Sequence, residues 1–207
     1  KHIDSEGIED TTEGNKPRKL KYKDVALLLR AFTQVRPYVE ALKRYGIPYI
    51  VEGEKYFYTT QEILDFMNLL RIIENPHDTI ALVGILRSPI VGLTDREIYE
   101  LKENHLLDYR KSVSDETFLF SDLGNIVELF YDFLRKIHAR AGTIPVSQLI
   151  TEIIDNTHVA EITACAWHGE QKLANLWKLY QMACDMEQSE GISLKTFIER
   201  IKTRIKE

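Results

Sequence analysis

From Thr60 onward, apolar residues recur three and four positions apart almost to the end of the chain, and this period commits most of the molecule to packed helices. The stretch TQEILDFMNLLRIIEN shows the pattern. Thr60 stands as an N-cap, Ile63, Phe66, Met67, Leu70 and Ile73 share one face, and Pro76 stops the run. Asp78 is placed to cap a following helix that must end before Pro89, and Thr94 with Glu97 three residues later spells a capping box. Further helices are expected over 122–140, 145–157, 169–188 and 193–206, with ARAGTIP, NTHVAEIT and EQSEG read as connections.

The first sixty residues read differently. Residues 1–19 are rich in Gly, Thr and Glu with few apolar positions, the composition of a mobile arm. VALLLR, at 25–30, is a short continuous apolar run of the kind found in buried parallel strands. PYVEALKRYG then carries Val39, Leu42 and Tyr45 at helical spacing and closes on Gly46, and 47–51 reads as a second strand. Strand, crossover helix and strand imply a parallel pair, and two strands alone do not make a stable sheet. The expected fold class is therefore mainly α with a small α/β portion: short parallel strands of a partial sheet, followed by an all-helical body. The corresponding division is an arm at 1–19, an α/β segment at 20–76 and a helical domain at 77–207.

Composition places the chain among folded globular domains, with 44% hydrophobic and 29% charged residues. No run approaches the ~18 apolar residues of a membrane span, and the N-terminal stretch has no apolar signal core, so a cytoplasmic location is expected. Charge is uneven. Residues 16–60 hold ten Lys/Arg against four Asp/Glu, which is +6, and since the whole chain is −5 the remainder carries −11. A basic segment on an acidic body suits a confined contact with a phosphate backbone, or simply a solvated basic face. Cys165 and Cys184 are too few for a disulfide framework and read as buried helix residues. The six histidines lack metal-ligand spacing, and Cys165 with His168 three residues on is read as ordinary packing. No nucleophile, base and orienting group converge.

The order of the segments carries a resemblance. The strand ending in Arg30, the GIPY at 46–49, the aromatic segment running into QEI at 57–63, LLRIIENPHD at 69–78 and LRSPIVGLTDREI at 86–98 resemble, in sequence order, the second RecA-like domain and inserted helical domain of UvrD/Rep/PcrA-type superfamily 1 DNA helicases. The likeness is closest to the AddA/RecB-like branch, and GEQKLANLWKLYQMA resembles a helix of the inserted domain in the same family. The resemblance implies a piece of an ATP-dependent DNA helicase, or helicase-nuclease, acting in repair or recombination. Its partners would be single-stranded DNA, duplex DNA, the remaining helicase domains of the parent chain and a nuclease subunit. No cofactor is expected here: there is no G-x-x-x-x-G-K-[ST] loop and no acidic pair closing an apolar strand, so ATP and magnesium would bind elsewhere in the parent.

Carried over residue by residue, the family's single-strand track passes Arg30 at the strand end, Thr33 just beyond it, and Tyr56, Phe57, Tyr58 and Gln61 at the junction with the first long helix. A translocating motor needs contacts that any sequence satisfies, and aromatic faces with phosphate-binding cations provide them. Phe57 also reads as a plug over the core edge, with Tyr56 and Tyr58 turned the other way by strand alternation. Thr59-Thr60 stand where relatives commonly carry Glu-Arg, and Glu54 replaces a family glycine. That loss of a cation suits the alternative reading, a degenerate helicase-like protein–protein docking module without DNA binding.

Overall fold

The computed structural model describes residues 21–30, 35–49, 51, 57–111 and 122–206. The chain divides into two compact units, Lys1–Gly53 and Glu54–Glu207.

In the first unit a 3-10 turn at Tyr22–Asp24 leads into residues 25–29, and Val25 is extended at φ −108° and ψ 128°. No strand forms among the described residues. The parallel strands expected at 25–30 and 47–51 are thus not found there, and Ile50 lies outside the described residues. The physical reason is that an extended segment becomes a strand only by pairing, and no described segment pairs with it. Its side chains remain open to solvent: Leu28 is 93% exposed, Val25 64% and Leu27 61%. Helix α1, Val35–Arg44, forms as its periodicity requires, burying Val39 and ending at Gly46 with φ +63°, where a Cβ would be strained.

The second unit is helical. Its elements are α2 (Gln61–Glu74), α3 (Thr79–Arg87), α4 (Asp95–Glu103), α5 (Asp122–Arg140), α6 (Val146–Thr157), α7 (Val159–Cys165), α8 (Gly169–Glu190) and α9 (Leu194–Lys206). Helix α2 is the centre, packed by α3, α5, α8 and α9. Ile63, Phe66, Leu69, Leu70, Ile72 and Ile73 are completely buried along it, each contributing about 1.5–3 kcal/mol by leaving water. The expected caps form. Asp78 accepts from the Ala81 amide at 3.0 Å while its second oxygen receives Arg71 at 2.7 Å, so one carboxylate starts α3 and ties it to α2. Thr94 and Glu97 exchange the two bonds of a capping box, at 3.3 and 2.7 Å.

The far end of α2 is finished by distant residues. The Tyr109 hydroxyl donates to the Ile72 carbonyl at 3.4 Å, and His138 Nδ1 lies 2.6 Å from the Ile73 carbonyl, a contact only a protonated nitrogen can make. Tyr131 donates to the Leu106 carbonyl at 2.7 Å, and burial pushes the Tyr109 phenol up to about 12 and that of Tyr131 higher still. Helix α7 falls partly where NTHVAEIT reads as a connection. Only seven residues long, it is entered through His158 at φ 52°, a left-handed position no local signal announces. Cys165 ends α7 exposed and Cys184 is half-buried on α8, which corrects the expectation that both thiols are core residues.

Candidate nucleic-acid interface

Phe57 and Tyr58 are helical rather than extended, so the alternation that would set them on opposite sides does not apply. Both turn inward, to 4% and 3% exposure, and their rings meet edge to face with centroids 4.9 Å apart. This corrects the placement of Tyr58 on the outer side of the junction. Helix α8 closes over them: Lys178 Nζ stands 4.8 Å from the Phe57 ring centroid, and the Tyr58 hydroxyl reaches Met182 Sδ at 3.9 Å. Thr60, the expected N-cap, makes no side-chain capping bond to α2, and its hydroxyl instead donates to the Phe57 carbonyl at 2.9 Å. The aromatic pair is thus a plug at the head of α2, its faces covered by protein.

The next turn of α2 is polar. Gln61 is exposed, and its amide donates to Asp65 Oδ1 at 2.7 Å. Asp65 is itself only 8% exposed, and that burial raises its carboxyl above the ordinary 3.8, opposed by the Gln61 hydrogen bond and by Lys172. Glu62 accepts from Asn175 Nδ2 at 2.6 Å, across 113 positions of sequence, and Asn175 accepts in turn from Gln171 at 3.1 Å. The QE of QEI and the Asn of LANL are therefore bonding partners.

Helix α8 can lie this close to α7 because it begins with glycine. A Cβ at Gly169 would stand 2.0 Å from the Ala164 carbonyl oxygen, which only a missing side chain allows.

Of the remaining candidates, Arg30 sits exposed at a bend in the first unit, while Thr33 and Tyr56 lie outside the described residues. The structure therefore brings Phe57, Tyr58 and Gln61 together in the second unit. It adds Lys178, Asn175 and Asp65, which sequence reasoning did not connect to them. Among the described residues no three His, Cys, Asp or Glu side chains are grouped to hold a metal ion. The acidic side chains at the head of α2 bond to Gln61 and Asn175. The sequence has no phosphate-cradling G-x-x-x-x-G-K-[ST] loop. No described helix is long and apolar enough to cross a membrane.

Residues 4–206 match the model of the UvrD-like helicase C-terminal domain. The chain belongs to that family. Among curated proteins it is similar to an ATP-dependent helicase/nuclease subunit of Lysinibacillus sphaericus, at 30% identity over 93% of this chain and 16% of that protein. It is also similar to the helicase/nuclease subunits of the same name from Clostridium perfringens, at 32% identity over 90% and 15%, and Lactiplantibacillus plantarum, at 33% over 89% and 16%. The UvrD-like chain thus spans about one-sixth of the length of these relatives.

Proposed function

We propose that this UvrD-like chain is the DNA-track and accessory portion of an ATP-dependent helicase, or helicase-nuclease, working in DNA repair or recombination. The observation that carries the reading is the family match over residues 4–206. In it, residues 20–76 belong to the second motor domain and 77–207 to its helical accessory domain. Single-stranded DNA passes Arg30, Thr33, Tyr56 and Gln61, which contact phosphate or base. Phe57 and Tyr58 serve the track from beneath, fixing the head of α2 from which Gln61 projects. ATP and magnesium bind in parent segments outside this chain. The whole enzyme's partners are duplex DNA, the other motor domain and a nuclease subunit.

A second reading, a docking module without DNA binding, is favoured by the burial of the two aromatic faces. Binding of a fluorescent single-stranded oligonucleotide across a salt series separates the two. Phosphate contacts release counterions, so a DNA track gives affinity that falls as salt rises, with a shallower slope in Arg30→Ala. Absence of binding at low salt leaves the docking module standing.

A further inference from the structure

Both tryptophans of the chain belong to α8 or the loop that leads into it, and both face solvent: Trp167 is 71% exposed and Trp177 48%. Tryptophan is highly buried on average and is enriched at interfaces, so an indole held open on a helix beside a cation is a candidate contact surface. Trp177 is held in place. Tyr180 packs against it at right angles, with ring centroids 6.0 Å apart. Lys178, the next residue, stands over Phe57, and Asn175 two residues earlier holds Glu62, so this turn of α8 lies against the head of α2 beside Gln61.

We propose that Trp177 and Lys178 form a base-stacking platform for single-stranded nucleic acid, with the indole taking a base and the ammonium an adjacent phosphate. The proposal deepens the DNA-track reading and rests on it. It also answers what the buried aromatics at the junction leave open: the aromatic surface at this end of α2 is supplied by α8.

The cation beside the indole favours a nucleic acid over a purely apolar occupant. Over residues 173–181 the only charged side chain is Lys178. On the facing turn of α2, Glu62 is bonded to Asn175 and Asp65 to Gln61, and Lys172 lies near Asp65. The nearest exposed carboxylates along α8 are Glu170 and Asp185, each seven residues from the platform. At 1.5 Å per residue that is roughly 10 Å, about one Debye length at 0.1 M salt. Asn175 and Gln61 are neutral amides, so the Glu62 and Asp65 carboxylates still weigh against a phosphate at Lys178, and Lys172 and Lys178 are the cations on α8 that offset them. Stacking provides most of the attraction, so this platform has a different signature from a phosphate-binding cation such as Arg30.

The test is titration of the 207-residue chain with an oligothymidylate of about 16 nucleotides, followed by intrinsic tryptophan fluorescence. In Trp167→Phe the only reporter is Trp177, and its emission should be quenched on binding. Trp177→Ala should weaken binding by about 5- to 150-fold, the range expected for one lost base stack, while Trp177→Phe keeps most of the affinity. Lys178→Gln should lower the log–log salt slope by about 0.7, one single-strand phosphate. Circular dichroism melts of each variant confirm that the helices are intact. Binding that leaves Trp177 emission unchanged and survives Trp177→Ala, yet is lost in Arg30→Ala, overturns the platform and keeps the track. No binding by any variant at low salt overturns both, and gives the open indole to a polypeptide partner instead.

Discussion

The two units handle the same kind of apolar sequence in opposite ways. VALLL in the first unit and ILDFMNLLRII in the second are comparably rich in large apolar side chains, yet Leu28 is 93% exposed while Leu69, Leu70, Ile72 and Ile73 are entirely buried. The difference lies in where backbone hydrogen bonds are satisfied. A helix completes them within itself, so α2 needs only side-chain neighbours, which α3, α5, α8 and α9 supply. An extended segment completes them across a sheet, and no strand is present among the described residues. One unit covers its apolar run with its own helices, and the other leaves that run open among the described residues.

Truncating one side chain on each side tests this contrast most severely. Phe66→Ala removes a fully buried ring from the centre of α2 and should cost about 3–5 kcal/mol, read as a lowered denaturant midpoint. Leu28→Ala in the same chain should change stability by less than about 0.5 kcal/mol, because the leucine has almost no burial to lose. In a longer chain that supplies neighbouring strands, the Leu28 cost should rise towards about 2–5 kcal/mol. Equal penalties in the 207-residue chain would break the comparison. Gly169→Ala comes next. Its new Cβ meets a backbone carbonyl at 2.0 Å, where no flexible side chain can yield, so α8 must shift against α7 at a cost of about 1–3 kcal/mol. Chemical denaturation measures it, and an unchanged midpoint would mean that the α7–α8 corner is more pliant than its geometry implies.

What can be read from sequence follows the same division. The Asp78 cap, the Thr94–Glu97 box, the stop at Gly46 and the buried face of α2 are all legible, because each is decided within a few residues. Helix α7 is not: seven residues are too short to show a period, and its entry depends on His158 taking a positive φ. Alternation sends Tyr58 to the outside, but it is a rule of extended backbone, and the backbone there is helical. The Asn175–Glu62 bond spans 113 positions, so sequence suggests two separate family-like segments and only the fold shows that they hold each other. The candidate interface is half visible for that reason. Its α2 and α8 sides both lie in recognisable segments, and only tertiary packing brings them together.

Asp65 is where the second unit most resembles the first, a group whose surroundings serve it incompletely. Burial raises its carboxyl, and the Gln61 bond opposes that shift without reversing it. The folded chain therefore holds the Asp65 proton more tightly than the unfolded chain does, and the sign of the linkage follows. Asp65 contributes its full share of stability below the unfolded value near 3.8 and loses it as pH rises through the higher folded value. Glu97 and Asp108 run the other way. Hydrogen bonds from Thr94 and Arg110 lower their carboxyls, so their contributions hold above the unfolded values and vanish as pH falls through the folded ones. Asp65→Asn keeps an acceptor for Gln61 and removes the buried charge. Thermal unfolding across pH should show the variant level with the parent in acid, then more stable than the parent once the pH has passed the raised folded value. The acid-side decline set by Glu97 and Asp108 should be unchanged. A variant less stable than the parent at neutral pH would mean that Lys172 and Gln61 together compensate the carboxylate fully, and the head of α2 would then be as self-sufficient as the rest of its core.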